Sequence, residues 1–301
     1  MISWLLVAIS AYLLFGLASL GDKLFLAGQA EPKSYTFYVG ILSAVIVLLI
    51  PFIKFGIPDA AQMFWSILAG IVYAGGLYAS YEAIEKFEVS KVMATLGATQ
   101  PIFILALTWI FWSSYAIRGT DILALVLLFL GSIIISFEKT PEITGEYLKI
   151  TLLASFLFSL DYILSKIVFL GQPFLQGLIW IRIFTFVTVL FFLFSKDARK
   201  KIFKKQNMPD AKTKAIFVGT QVSGGIGNIL QSFSIALAPI AVLPIINSLR
   251  GVQYAFLFIA TLFLSFFFPK VLKEATSKKI IIQKIISMIL IVAGLAIVVI
   301  Y

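Results

Sequence analysis

Ten apolar runs, each about the length of a membrane crossing, take up most of this chain: residues 2–21, 35–53, 62–84, 89–112, 121–137, 147–169, 174–194, 213–237, 240–268 and 280–300. A helix rises about 1.5 Å per residue, so roughly 20 residues cross the ~30 Å hydrocarbon layer. Open strands cannot satisfy their backbone groups in lipid, so each run is expected to be a helix. The fold class expected is an all-α polytopic membrane protein with ten transmembrane helices. Composition agrees, with 61% of the 301 residues hydrophobic and 13% charged. A soluble domain is closer to a quarter charged. The opening MISWLLVAIS lacks the basic stretch of a secretory signal and is expected to remain as the first segment.

The chain has no cysteine and no histidine. That excludes disulfides, thiolate metal sites and Cys or His nucleophile–base chemistry. Neither HExxH nor GxSxG occurs. No catalytic residue, cofactor or metal site is expected, and the protein is not expected to be an enzyme. The net charge of +10 does not argue for nucleic acid, because in a membrane protein the placement of charge matters more than its sum.

The second half restarts as a copy of the first. Lys166-Ile-Val-Phe-Leu-Gly171-Gln172 repeats Lys23-Leu-Phe-Leu-Ala-Gly28-Gln29 at a shift of 143 residues. Gly75-Gly76 in the third segment pairs with Gly224-Gly225 in the eighth. YEAIEKFEVSKV at 81–92 pairs with SFSIALAPIAVL at 232–243, and Gly131 pairs with Gly294. The expected domains are residues 1–140 and 147–301, each a five-helix repeat. Five is odd, so the second copy enters the membrane from the opposite side. Inverted repeats of this kind mark transporters, with the substrate site near the midplane between the halves.

Charge sets the expected orientation. Eighteen lysines and arginines fall on the side that receives the loops after segments 1, 3, 5, 7 and 9, among them Lys86, Lys284 and the run Lys196–Lys214. The other side, with both termini, holds Lys54 and Arg118. By the positive-inside rule both termini face outward, and the basic run is a cytoplasmic patch.

The quoted segments resemble the drug/metabolite transporter superfamily, in its ten-helix EamA-type branch. Tyr81-Glu-Ala-Ile, Val89-Ser-Lys-Val, Gln100-Pro101-Ile-Phe and Leu130-Gly131 carry the likeness in the first half. Leu272-Lys-Glu274 and Gly294 carry it in the second. Three features depart from the family pattern. WSSYAIRGTD lacks the usual glutamate, Val252 stands where Pro101 would be matched, and the charges reverse the usual cytoplasmic termini. The resemblance implies a plasma-membrane carrier of amino acids, metabolites or drugs, commonly working outward, with segments 4, 8 and 9 lining the cavity.

Charged groups inside apolar segments cost about 2.5–3.5 kcal/mol on insertion scales and usually face a cavity or a partner. Arg182 and Arg250 are candidates to hold an anionic group through forked hydrogen bonds. An Asp161–Arg182 ion pair between neighbouring helices is the plainer reading of the first. Asn247 and Gln253, at i−3 and i+3, would share a helix face with Arg250, and Gly251 would let a ligand or backbone come close. Asn228, Gln231, Gln100 and Tyr78 complete the candidate substrate site. Glu82, Asp161, Lys166 and Lys23 are candidates for proton coupling or gating, although snorkelling also explains the two lysines. Ser223-Gly-Gly-Ile-Gly227 follows no strand, so it reads as close helix packing rather than a nucleotide loop.

Three functions stay open. One is a secondary active transporter, working as an exporter by alternating access on a small polar or amphipathic metabolite such as an amino acid. Another is an exchanger of phosphorylated or other anionic solutes. A membrane scaffold or receptor without transport is the third. Expected partners are the small-molecule substrate, the lipid bilayer and a proton or another coupling ion, in a monomer or homodimer. No nucleic-acid partner is expected.

Overall fold

The computed structural model describes residues 3–25, 32–87, 89–112, 119–136, 144–194, 199, 211–267 and 278–300. Among these residues the regular elements are all helical. They are α1 (Ser3–Phe25), α2 (Pro32–Ser43), α3 (Ala60–Lys86), α4 (Val89–Phe111), α5 (Gly119–Ser136), α6 (Gly145–Gly171), α7 (Phe174–Leu190), α8 (Ala211–Leu237), α9 (Leu243–Ser248), α10 (Arg250–Phe267) and α11 (Lys278–Ile300). Two starts carry the capping residues their sequences offer. The Gln62 amide donates to Asp59 Oδ1 (2.9 Å) at α3, and the Tyr147 amide donates to Thr144 Oγ1 (3.1 Å) at α6. Among the described residues, five spans are long and apolar enough to cross a membrane: Ser3–Leu20, Ala60–Lys86, Gly145–Gly171, Phe174–Phe194 and Ile240–Ala260. Shorter apolar helices cover Thr36–Phe52, Thr95–Phe111, Gly119–Ile134 and Ile282–Val298.

Two segments are less regular than expected. The second tightens from α2 into a 3₁₀ stretch, Ala44–Phe52, that contains Pro51. The ninth is broken. A 3₁₀ turn at Ile240–Val242 leads into α9, and the chain turns at Leu249 before α10 begins. The Leu249 amide is shared between the carbonyls of Ile245 (3.1 Å) and Ile246 (3.3 Å), and Val252 donates to the Leu249 carbonyl at 2.8 Å. The bonds to the Ile246 and Leu249 carbonyls are of the i→i+3 kind and overwind the helix, next to a glycine with poor helix propensity.

Contacts divide the chain into two compact units. One comprises Met1–Gln29, Ser114–Pro141 and Asn207–Tyr301, and the other Ala30–Ser113 and Glu142–Gln206. Each unit draws on both sequence halves. In unit 1, α1 packs on α8 and α10, and α5 packs on α11. In unit 2, α6 packs on α3 and α4, and α7 packs on α3. Ala69 and Val72 of α3, Leu164 and Val168 of α6, and Ile181 of α7 form one buried cluster there.

Glycines set the closest approaches. A Cβ on Gly227 would lie 3.1 Å from the Phe15 ring, and one on Gly76 would lie 3.0 Å from the Phe158 ring. Phe15 and Phe158 are related by the 143-residue shift of the lysine motif. The contact therefore matches Gly76 to Gly227, two places from the Gly76–Gly225 pairing expected from the sequence. At the α5–α11 crossing, a Cβ on Gly131 would meet Ile291 at 2.7 Å and the Ser287 carbonyl at 2.9 Å. One on Gly294 would meet Leu128 at 2.7 Å and the Ala124 carbonyl at 3.2 Å. Each glycine meets the residues three and seven places before the other.

Candidate functional site

In unit 1 the polar side chains gather along one face of α1. Tyr12 is fully buried, accepts from Gln231 Nε2 of α8 (3.0 Å) and donates to the Asn247 carbonyl of α9 at 3.4 Å. Seven residues on, Ser19 Oγ accepts from Gln253 Nε2 of α10 at 3.0 Å. Two helical turns of α1 thus bring Gln231, Asn247 and Gln253 to a common surface. Asn228 lies half-buried one turn before Gln231 on α8, and the Asn247 side chain is buried. Tyr12 and Ser19 were not picked out from the sequence. The signal was present, since both are polar groups spaced i, i+7 in an apolar segment.

Arg250 opens α10 directly after the turn at Leu249 and is half-buried. Among the described residues it forms no hydrogen bond, ion pair or ring contact. Gly251 serves a purpose other than ligand approach. A Cβ there would meet Ser132 Oγ of α5 at 2.7 Å and Ile291 of α11 at 2.9 Å, so its bare backbone lets two helices close in. Lys23 is on α1, and its side chain lies outside the described residues.

Unit 2 holds the charged candidates. Arg182 of α7 is buried, with its guanidinium carbon 4.3 Å above the Tyr73 ring of α3. That is a cation–π contact. Asp161 of α6 feels the charge of Arg182 but makes no direct ion pair with it, and it accepts instead from Ser165 Oγ at 3.3 Å. Lys166 is buried one turn after Tyr162. Gln100 is buried on α4, and its carbonyl accepts from Ser159 Oγ at 3.2 Å. Tyr78 and Glu82 sit apart from Arg182. Tyr78 meets the Phe192 ring edge-on at 5.8 Å. Glu82 pairs with Lys86 at 3.0 Å, and Lys86 also holds Glu146 of α6 at 2.9 Å. These three ends are solvent-exposed, so the pairs add little stability.

Two charges counted in the loop tally behave differently from the rest. Lys284 is buried within α11, its ammonium 4.6 Å above the Phe258 ring, and so is no loop cation. Lys86 is tied into the Glu82–Glu146 pair. Most of the Lys196–Lys214 patch lies outside the described residues.

Residues 2–137 match the EamA-like transporter family. That family is part of the drug/metabolite transporter superfamily. The EamA-like match over the first part of the chain and the apolar helices make this an integral, multi-pass membrane protein, similar there to a transporter family. No curated protein matches the chain. A protein of solved crystal structure superposes with a TM-score of 0.66 at 16% identity, over 98% of this chain and 96% of its own. At that identity the likeness is one of fold.

Proposed function

We propose that the protein is a secondary active transporter that moves a small polar or amphipathic metabolite, such as an amino acid, by alternating access, with Arg250 as the group that holds the solute. The observation that carries this reading is the state of Arg250. It is a half-buried guanidinium at a break in an apolar segment, and no described residue satisfies it. Burying such a group is costly unless something pairs with it. A solute carboxylate or phosphate supplies two acceptors that fit the fork. Gln231, Asn247 and Gln253 add amides of the kind that orient a polar solute.

The ten segments form two inverted five-helix repeats, residues 1–140 and 147–301. The paired contacts Phe15–Gly227 and Phe158–Gly76, and the reciprocal Gly131–Gly294 crossing, support this. Export is the direction, with both termini outside. A single cysteine at Ser195 should then resist an impermeant maleimide in intact cells, while one at Met1, placed behind a new start codon, should label. The reverse pattern sinks the orientation.

Exchange of phosphorylated or other anionic solutes is the second reading, favoured by the same unsatisfied guanidinium. Uptake of radiolabelled solutes into proteoliposomes tests both. Counterflow with amino acids supports the first reading and counterflow with phosphate esters the second. A protein that binds solutes but moves none would be a receptor or scaffold.

A further inference from the structure

We propose that Thr99, Ser155 and Ser159, with the carbonyls of Gln100 and Thr95, form a sodium site between α4 and α6 of unit 2. This rests on the transporter reading and names its coupling ion. Thr99 Oγ1 lies 2.6 Å from Ser155 Oγ and donates to the Thr95 carbonyl at 2.8 Å. Ser159 Oγ shares its proton between the carbonyls of Ser155 (2.7 Å) and Gln100 (3.2 Å). Ser155 and Ser159 are fully buried and Thr99 half-buried. Two bridges thus link α4 and α6 one helical turn apart, Thr99 Oγ1 to Ser155 Oγ and Ser159 Oγ to the Gln100 carbonyl, with the Thr95 and Ser155 carbonyls beside them. The Thr99 and Ser159 hydroxyls donate to neighbours, Ser155 Oγ accepts from Thr99, and each hydroxyl oxygen retains lone-pair capacity that a cation can use. Hard cations select such all-oxygen sets.

The backbone supports the same reading. Pro101 follows Gln100 and has no N–H to give the Gly97 carbonyl one turn back, so the ladder of α4 is broken at the cluster. Carbonyls at interrupted helices are the usual sodium ligands in transporters built of repeats. Single hydroxyls that bond back to their own helix need no ligand to explain them. Hydroxyls that also bridge two helices beside a proline do.

The other unit supplies a control. The 143-residue shift that carries Phe15 to Phe158 carries Tyr12 to Ser155 and Gly16 to Ser159. The 151-residue shift that carries Gly76 to Gly227 carries Thr99 to Arg250. Unit 1 therefore packs the equivalent helices without the two serines, so packing does not require them. At the position equivalent to Thr99 it places a fixed cation. An arginine in one unit and an oxygen cluster in the other is the arrangement expected if both positions hold positive charge, one permanently and one reversibly.

The test uses the detergent-purified full chain. Its thermal midpoint is measured against rising sodium chloride, with potassium chloride and choline chloride at equal ionic strength as controls. A saturable rise specific to sodium is expected. It should vanish in Thr99→Val and in Ser159→Ala and persist in Thr99→Ser, which keeps the hydroxyl. Equal midpoints in the three salts for the parent protein overturn the site, and so does a sodium response that survives in both hydroxyl-free variants. If those variants fail to fold, the parent's salt series and Thr99→Ser still decide. No transport is read, so failure here leaves the transporter reading standing, and absence of solute uptake leaves the sodium result standing.

Discussion

Unit 1 and unit 2 solve one packing problem with different polar equipment. In each, a first-segment helix from one half of the chain lies on a third-segment helix from the other, an aromatic ring over a glycine. Among the buried positions of α6, those with polar side chains are Tyr147, Thr151, Ser155, Ser159, Tyr162, Ser165 and Lys166. The equivalent positions of α1 are Trp4, Ala8, Tyr12, Gly16, Ser19, Asp22 and Lys23. Asp161 corresponds to Ala18. Since the same contact forms either way, the Thr151 and Ser159 hydroxyls and the Asp161 charge exceed what packing needs. A polar group inside lipid that packing does not require points to a task. In unit 1 the excess sits at the broken ninth segment, as Arg250 beside three amides. The comparison separates residues that build the scaffold from residues that use it.

The largest effect expected from breaking this contrast is at Arg250. Arg250→Lys keeps the charge and loses the fork. A charge-assisted hydrogen bond contributes about 1.5–3 kcal/mol, so solute kcat/KM should fall roughly 10- to 100-fold. Expression and thermal midpoint should stay near the parent, because no described residue depends on the guanidinium. Parent-like transport would remove Arg250 from the site, and gross misfolding would make it structural.

The glycines come next. Gly131→Ala and Gly294→Ala push a methyl against a backbone carbonyl, which cannot rotate away. Each should cost toward the upper end of the about 1–3 kcal/mol typical of overpacking. Gly76→Ala and Gly227→Ala meet ring edges first, at 3.0 to 3.1 Å, with the Ala11 carbonyl 3.2 Å from the Gly227 position as well, and should cost less because no side chain comes as close as the 2.7 Å at Gly131 and Gly294. Within each pair the two losses should agree. Denaturation midpoints that differ widely within a pair would break the equivalence of the two units.

Asp161 and Arg182 carry a smaller coupling. Breaking a buried pair in contact costs about 3–5 kcal/mol. These two act at a distance, with the guanidinium resting on Tyr73. A double-mutant cycle of Asp161→Asn and Arg182→Gln should give a coupling of about 1 kcal/mol. A value of 3 or more would mean that they meet directly.

Much of the fold was legible because lipid leaves a chain few options. Long apolar runs had to be helices, and the regular elements among the described residues are helical. Packing was harder to read. A repeat records which residues correspond and says little about which will touch, so the interleaving of the halves in both units was invisible. The Gly75-Gly76 and Gly224-Gly225 pairing failed for a related reason. A two-glycine identity survives a slip of two residues, and only the Phe15 and Phe158 rings fix the register. Lys284 looked topogenic because it stands near the start of its segment, yet the Phe258 ring receives it inside unit 1. Of the candidate site, Arg250 and its amides could be named from the sequence. Tyr12 and Ser19, which gather those amides, were passed over, although their i, i+7 spacing in an apolar run was a readable signal.

The smallest effect is the most exacting check on the equivalence. Ser234 of α8 is fully buried and donates to the Trp4 carbonyl of α1 at 2.9 Å. At the same 151-residue shift its counterpart is Ala83 of α3, fully buried beside Tyr147, which itself corresponds to Trp4. Unit 2 thus already contains the alanine variant of this contact. Ser234→Ala removes a donor but leaves the Trp4 carbonyl its bond within α1, so no buried group is stranded. Hydrogen bonds between membrane helices contribute about 0.6 kcal/mol on average. Ser234→Ala should therefore lower stability by about that much and leave transport intact. A loss above about 2 kcal/mol would show that the Ser234 bond does something in unit 1 that Ala83 does not do in unit 2.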